Sequence, residues 1–440
     1  MMTISAPRAQ SIGRGKLVAA AVVCAFGFAL YGLGVPENPP GFYIDESSIA
    51  YNAYTIAQSG KDEHGEAWPL YFRAFGDHKN PTYVYILAAV FRVTGPSIAV
   101  ARWLSASLGA LAALLLGLLA FRLTARAEVG FVIACSALLT PWLYESSRLV
   151  FEVAAYPIAC VIFLLALRRA SSKDRWDLLD VVALACSLAL LTYTYSIGRL
   201  LAPLLALGLA FFISRRNLGR VLTTWAAYAV TLAPLTAYSL RHPGALQERL
   251  SLITYITPQN SFAHIAQGFA LHYLADINPW RWLVTGEQNI RDHLPGSSAL
   301  LLATVLLAIL GAVIVLREHR AEAWWRFQLY ALAACMVPAA LTVNDFPQLR
   351  LIAFPVFLHV FTAPAVARLL EGSTRRLFLY AVAILLLSQA AYFQWRFHER
   401  PPERWYIFDE RFPLKVLAPA LDATAGGPIY LYDPPRNSGY

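Results

Sequence analysis

Apolar residues run along this chain in uninterrupted blocks, each of roughly 15–22 residues, the length that carries a helix across about 30 Å of hydrocarbon. The blocks lie at 17–34, 97–120, 129–145, 150–167, 178–193, 200–213, 221–239, 297–316, 327–341, 350–367 and 377–393. They predict eleven transmembrane helices. The polar intervals between them are unequal: most are short, but 35–96 and 240–296 are long, and a polar tail fills 394–440. Inside the first long interval, 82–93 (TYVYILAAVFRV) is apolar but too short to span and predicts a juxtamembrane, half-buried helix. Upstream of it, Ile49, Ala53, Ile56 and Ala57 recur at helical spacing after Asp45, with Gly60 as the stop. In the second interval SFAHIAQGFALHYLADI predicts an amphipathic helix along the interface, with Trp280 and Trp282 at headgroup depth. The tail offers one strand, IYLY at 429–432, the edge of a remnant α/β piece too short for its own core. The domain reading is a membrane module over 1–393 and a short extracytoplasmic tail over 394–440.

Composition agrees with that pattern. Of 440 residues, 58% are hydrophobic and only 14% charged, against about a quarter charged in a soluble domain. A soluble enzyme, a nucleic-acid-binding module and a disordered scaffold are excluded. The fold class expected is an all-α polytopic membrane protein.

The charge, +9 from 36 Lys+Arg and 27 Asp+Glu, changes the picture by its placement. Six short connectors (around Arg14, Arg122, Arg168, Arg215, Arg317 and Arg368) carry 18 basic against seven acidic residues. The rest of the chain carries 18 against 20. All six fall on one side under strict alternation, so the positive-inside rule makes that side cytoplasmic. The expectation is a multi-pass protein of the inner or plasma membrane, N-terminus inside, C-terminus outside, with no nucleic-acid partner. The first run follows basic residues but closes without an A-x-A-type site, which points to an uncleaved anchor. Cys24, Cys135, Cys160, Cys186 and Cys335 all sit in apolar runs without C-x-x-C spacing and behave as small hydrophobes. His64, His78, His264, His272 and His293 have no metal-ligand spacing; a divalent metal stays open but is not supported by ligand spacing.

Candidate chemistry lies where the charges are expensive. Ionisable groups near bilayer depth cost several kcal/mol and default to a functional reading. Asp45 and Glu46 are either an N-cap and a first-turn acid or functional carboxylates. Adjacent helical residues diverge by about 100°, so both cannot address one substrate atom. If one is a base, the other binds scaffold or ligand. PLYFRAFGDHKNP brings Arg73, Asp77, His78 and Lys79 within seven residues, as a wetted loop or an anion site. Glu145, Arg148 and Glu152 follow i, i+3, i+7 and fit an internal salt-bridge ladder on one helical face as well as a site. Tyr195 and Arg199 top the fifth and sixth runs, and Arg350 opens the tenth. Arg148, Arg199, Arg291 and Arg350 all at outer ends suit a lipid phosphate, which guanidinium grips bidentately in a partly dry site.

In order along the chain stand the Asp45-Glu46 pair, Gly60-Lys61-Asp62, Pro69-Leu70-Tyr71-Phe72-Arg73, Gly76-Asp77-x-Lys79-x-Pro81, Ala101-Arg102-Trp103-Leu104-Ser105-Ala106 and Ser147-Arg148…Glu152. Trp282-Leu283…Gly286-Glu287…Arg291-Asp292-His293 and the stretch FPQLRLIAFPVFL follow. This ordered set resembles bacterial GT-C glycosyltransferases of the family 39/83 group, relatives of protein O-mannosyltransferases and of the lipid A aminoarabinose transferase, over about 41–370. The resemblance implies a GT-C bundle and a metal-optional inverting hexosyl- or pentosyltransferase. Its donor would be a polyprenyl-phosphate-linked sugar, and its acceptor a glycan, lipid or protein hydroxyl on the non-cytoplasmic face. Carried over by position, Asp45 is the base, with Glu46 and Glu152 as supporting acids. Lys79, Arg148, Arg199 and Arg350 would hold the carrier phosphate, and Arg291, Asp292 and His293 would belong to the loop closing the site; Asp77, His78 and Tyr195 are substrate-binding candidates by their own placement beside these groups. Three departures stand out: Lys79-Asn80-Pro81-Thr82 replaces K-P-P-L, the acid after Gly286 is Glu287, and Asp292 splits the R-H pair. Two other classes remain: an O-antigen polymerase or ligase, whose chemistry centres on the late loop, and a lipid-substrate transporter, with charges at mid-span and paired broken helices.

Overall fold

The computed structural model of the chain describes residues 13–399 and 405–408. The strand expected at 429–432 lies outside the described residues. With no water in hydrocarbon to satisfy backbone N–H and C=O groups, an apolar run must bond internally, and every one of the eleven runs is helical. They are α1 Arg14–Gly32, α4 Ile98–Thr124, α5 Ala127–Leu138 with α6 Pro141–Ser146, α7 Tyr156–Ser171 and α8 Leu178–Thr194. After these come α9 Gly198–Gly208, α10 Leu218–Thr231 with α11 Ala233–Arg241, α14 Leu302–Ile314, α15 Ala323–Ala334 with α16 Val337–Ala340, α17 Ala353–Leu369 and α18 Ser373–His398. The broken runs resume at proline in a first turn (Pro141, Pro234, Pro338), where its missing N–H costs nothing. Five segments, 14–32, 98–124, 152–171, 302–319 and 375–398, are by themselves long and apolar enough to cross a membrane. The chain is an all-α polytopic membrane protein.

Two further helices belong to the first long interval: α2 Ile44–Ser59, stopped at Gly60, and α3 Pro81–Thr94. Both amphipathic faces bury into one apolar cluster with Ala101, Val150, Ala154 and Ala155. This secures the interval to α4 and to the turn before α7. Between α2 and α3 the segment expected as loop is a hairpin, β1 Phe72–Ala74 paired antiparallel with β2 Asp77–Lys79, Phe72 opposite Lys79. Phe75 and Gly76 both have positive φ, the geometry of a two-residue hairpin turn. The second interval holds α12 Glu248–Ile253 and α13 Phe262–Asp276, the latter over the stretch where a helix is expected, with Phe262, Leu271 and Leu274 exposed. Trp280 is exposed, but Trp282 turns inward instead, donating to the Asp276 carbonyl (2.8 Å) and packing on Phe354.

At the centre of the bundle α17 is buried nearly all round and touches α4, α5, α7, α14, α15 and α18. Exposed apolar side chains on α1 (Leu17, Val22) and α18 (Leu377, Ile384, Leu387) face outward, as a lipid-facing rim requires. The short basic connectors gather on one face, where Arg126 reaches the Ala367 carbonyl, Arg368 pairs with Glu318, and Lys173 with Asp180. Both long intervals meet on the opposite face.

Candidate functional site

The start of α2 separates the two adjacent acids. Glu46 is fully buried; it accepts from the Tyr43 N–H one turn back (2.9 Å), from the Val150 N–H (3.0 Å) and from Arg102 on α4 through both Nε (3.2 Å) and a terminal nitrogen (2.9 Å). Arg102 spends its remaining donors on the carbonyls of Pro36, Pro39 and Gly41. Glu46 therefore fixes the first loop to the bundle. Asp45, rotated away on the same helix, is 21% exposed and receives Lys79 at 2.7 Å and Arg291 at 3.8 Å. Tyr43, not Asp45, occupies the N-cap.

Lys79 arrives on β2, with Asp77 at 3.8 Å. The next residue, Asn80, is buried and links three elements. Its N–H donates to Glu152, its side-chain oxygen accepts from Arg199 at 3.3 Å, and it stands at the N-terminal boundary of α3. Arg199 also donates to the Leu246 carbonyl and lies 5.0 Å above the Tyr71 ring.

Arg291 comes from the second long interval. Asp292 holds it with two hydrogen bonds (2.7 and 2.8 Å), and the rings of Tyr43 and Phe151 lie beneath its guanidinium at 5.3 and 5.6 Å. The loop behind it is anchored by Glu145, which accepts from the Leu294 N–H and contacts His293 Nδ1 (3.1 Å); His293 Nε2 meets the Ser297 carbonyl. Glu287 accepts from the Gln348 N–H (2.7 Å), tying this loop to the turn that carries Arg350. Arg350 donates to Thr342 and Asn344 and interacts electrostatically with Tyr195, Glu287 and Asp292.

The structure thus brings Asp45, Asp77, Lys79, Glu152, Arg199, Arg291 and Asp292 together, with Tyr195 and Arg350 on one flank. It does not bring Arg148 there. That guanidinium is buried and occupied by the carbonyls of Tyr31, Leu33 and Asn38, between the rings of Tyr144 and Phe397. The expected ladder of Glu145, Arg148 and Glu152 does not form, because the helix stops at Ser146 and a short 3-10 turn begins at Glu152. The three side chains leave in three directions. His78 is buried on β2 beside Tyr238, and His293 braces its loop. Sequence reasoning did not single out Tyr43, Asn80 or Arg249 for the site; only their nearness in sequence to Asp45, Lys79 and the second interval gave a signal.

Burial works to raise the Asp45 carboxyl, but Lys79, Arg291 and Arg249 outweigh it and hold the group below the usual carboxylate range. Desolvation opposes the charge on Lys79, yet Asp45, Asp77 and Glu152 together push its ammonium above its ordinary value. Glu287 goes the other way: burial and then the Asp292 charge raise it well above a normal carboxyl. The result is an ionised acceptor, two cations and a nearby acid that favours its neutral form. Among the described residues no three His, Cys, Asp or Glu side chains converge as metal ligands.

No family model and no curated protein matches the chain. Solved structures do. ArnT from Cupriavidus metallidurans bound to undecaprenyl phosphate superposes with TM-score 0.53 at 15% identity, covering 83% of this chain and 62% of that one. The archaeal oligosaccharyltransferase AglB from Archaeoglobus fulgidus, in complex with an inhibitory peptide and a dolichol-phosphate, gives 0.54 at 12%, covering 89% and 57%. This chain spans about three fifths of the length of these proteins. At such identity the likeness speaks for architecture, and that architecture, a helical membrane bundle with juxtamembrane helices over one face, is the GT-C fold.

Proposed function

We propose that the chain is a membrane glycosyltransferase that moves a sugar from a polyprenyl-phosphate-linked donor to an acceptor hydroxyl, inverting the anomeric carbon, with Asp45 as general base. The observation that carries this reading is the Asp45–Lys79–Arg291 cluster where the two long intervals meet. Two further facts support the lipid phosphate: undecaprenyl phosphate is bound in ArnT and dolichol-phosphate in AglB. The placement of the basic connectors supports an N-terminus in the cytoplasm and a site on the extracytoplasmic face of the cell membrane. Residues 1–393 would form the catalytic module and 394–440 an extracytoplasmic tail.

In this mechanism the acceptor oxygen attacks C1 from the side opposite the phosphate. Its proton passes to Asp45, and the C1–O bond to phosphate breaks. The carrier leaves as a phosphate monoester, already anionic, so no strong general acid is needed, unlike an alcohol leaving group. Lys79 and Arg291, with Arg199 and Arg350 at the flanks, stabilise the charge that develops on the phosphate; in a low-dielectric site that is the larger contribution. A positioned base adds about 10²–10⁴-fold. Glu152 serves by holding the Asn80 backbone, and so the angle at which Lys79 enters. The test is transfer of radiolabel from polyprenyl-phosphate sugars into a membrane extract by the purified chain. Asp45→Asn should lose at least about 10²-fold in kcat, far more than its loss of the Lys79 ion pair would take from stability. Equal transfer by both proteins would remove Asp45 from the mechanism, and no transfer from any lipid-linked donor would remove the substrate class.

A further inference from the structure

Beside the cluster, on the same face, a cleft of about 340 Å³ opens between the first interval and the end of α11. Trp68, Tyr238, Glu66, Arg241 and His242 line it. Trp68 is the unusual member. Its side chain is 67% exposed, yet it is not loose. Its φ is +47°, a left-handed conformation that a bulky residue holds only when its surroundings impose it. The surroundings here are its N–H bonded to the Gly60 carbonyl (2.9 Å), the Tyr85 ring stacked at 6.0 Å and 14°, and Gly60 packed so closely that a Cβ there would lie 3.0 Å from the indole. An indole with one face packed and the rest in water is a preformed platform. Across the cleft Tyr238 stacks with His242 at 4.5 Å. Glu66 and Arg241 are exposed at its edge and form no salt bridge among the described residues.

The cleft connects to the proposed catalytic cluster through contacts already given. Tyr238 packs on Tyr71 at 4.9 Å, Tyr71 lies under Arg199, and Arg199 binds Asn80, the neighbour of Lys79. One packed layer, Tyr71 and Arg199, therefore separates the cleft from the cluster.

We infer that this cleft binds a saccharide, a part of the acceptor remote from the reacting hydroxyl, a reading that rests on the proposed sugar transfer. A pyranose ring presents polarised C–H groups on one face and vicinal hydroxyls at its edge. The negative face of an aromatic ring attracts the first; a carboxylate and a guanidinium, each with paired oxygens or N–H groups, bind the second bidentately. A rigid exposed indole facing an acid and a guanidinium meets both needs at once. An acceptor Ser or Thr side chain offers neither a ring face nor vicinal hydroxyls.

The test is saturation-transfer NMR on the full chain in nanodiscs free of sugar detergents. The probes are methyl glycosides of glucose, mannose, galactose and N-acetylglucosamine, with a Ser/Thr-containing peptide alongside. Ring C–H protons of at least one glycoside should receive saturation in wild type and equally in Asp45→Asn. The signal should fall about fivefold in Trp68→Ala, return in Trp68→Phe, and fall in Glu66→Gln, which leaves the platform intact. No glycoside signal, a signal indifferent to both Trp68→Ala and Glu66→Gln, or saturation of the peptide alone would overturn the assignment. Glycoside binding that behaves as expected, with no transfer from any lipid-linked donor, would defeat the proposed activity and leave the cleft's ligand class standing. Transfer without glycoside binding would do the reverse.

Discussion

Asp45 and Glu46 share a backbone turn and differ in everything else. Glu46 is buried and saturated; Asp45 is partly wet and ion-paired. Arg102→Met would leave the Glu46 carboxylate buried without its countercharge, a loss of about 3–5 kcal/mol. A large fall in Tm in detergent is expected, partly restored by adding Glu46→Gln; an unchanged Tm would show the pair is dispensable. The ionisation of Asp45 also sets a pH dependence. Its folded pKa lies below the unfolded value, so its ionisation favours the fold above the unfolded carboxylate range, and that contribution is lost as pH falls through the folded value. In wild type the acid limb of transfer due to Asp45 lies below the range of an ordinary carboxylate. Lys79→Met removes the strongest opposing charge and leaves burial to dominate, so the limb of the residual activity should climb to higher pH. A limb that stays in place in the pH–rate profile would mean the titrating base is another group.

At the scale of elements the second long interval is the part most exposed to small changes. Gly286 has φ +59°, and a Cβ there would lie 2.1 Å from the His293 ring. Alanine strains the backbone and displaces the histidine that Glu145 and Ser297 hold, and through it the neighbours Arg291 and Asp292. Gly286→Ala should therefore lower transfer by an order of magnitude or more, about 1.4 kcal/mol per tenfold, and lower Tm as well, because Leu294 on the same loop packs into the bundle core. Full activity in this variant would mean the loop's register does not position Arg291. The hairpin before α3 was legible only as a polar stretch; its strands are three residues each, too short to alternate detectably. What defines them is the positive φ at Phe75 and Gly76, which side-chain pattern does not encode.

For the whole molecule the prediction concerns orientation. Cysteine placed in the two long intervals should react with a membrane-impermeant maleimide added to intact cells, whereas cysteine in the connectors around Lys173 or Arg320 should react only after lysis. The opposite pattern would reverse the topology and move the site to the cytoplasm. Bilayer thickness and backbone hydrogen bonding left one solution for long apolar runs, so, except for the breaks within three runs, their helicity, the two helices of the first interval and the sorting of charge along the chain were determined by sequence alone. So was the divergence of Asp45 from Glu46, which follows from 100° per residue. Tertiary structure decided the partners. Whether Arg148 faces a ligand or three carbonyls, whether Glu152 meets Arg148 or the Asn80 backbone, and that Arg291 crosses from a distant loop to Asp45 all depend on contacts between residues tens to hundreds of positions apart. Charge type and spacing specify that such groups need partners; only the packed bundle fixes which partner lies within reach.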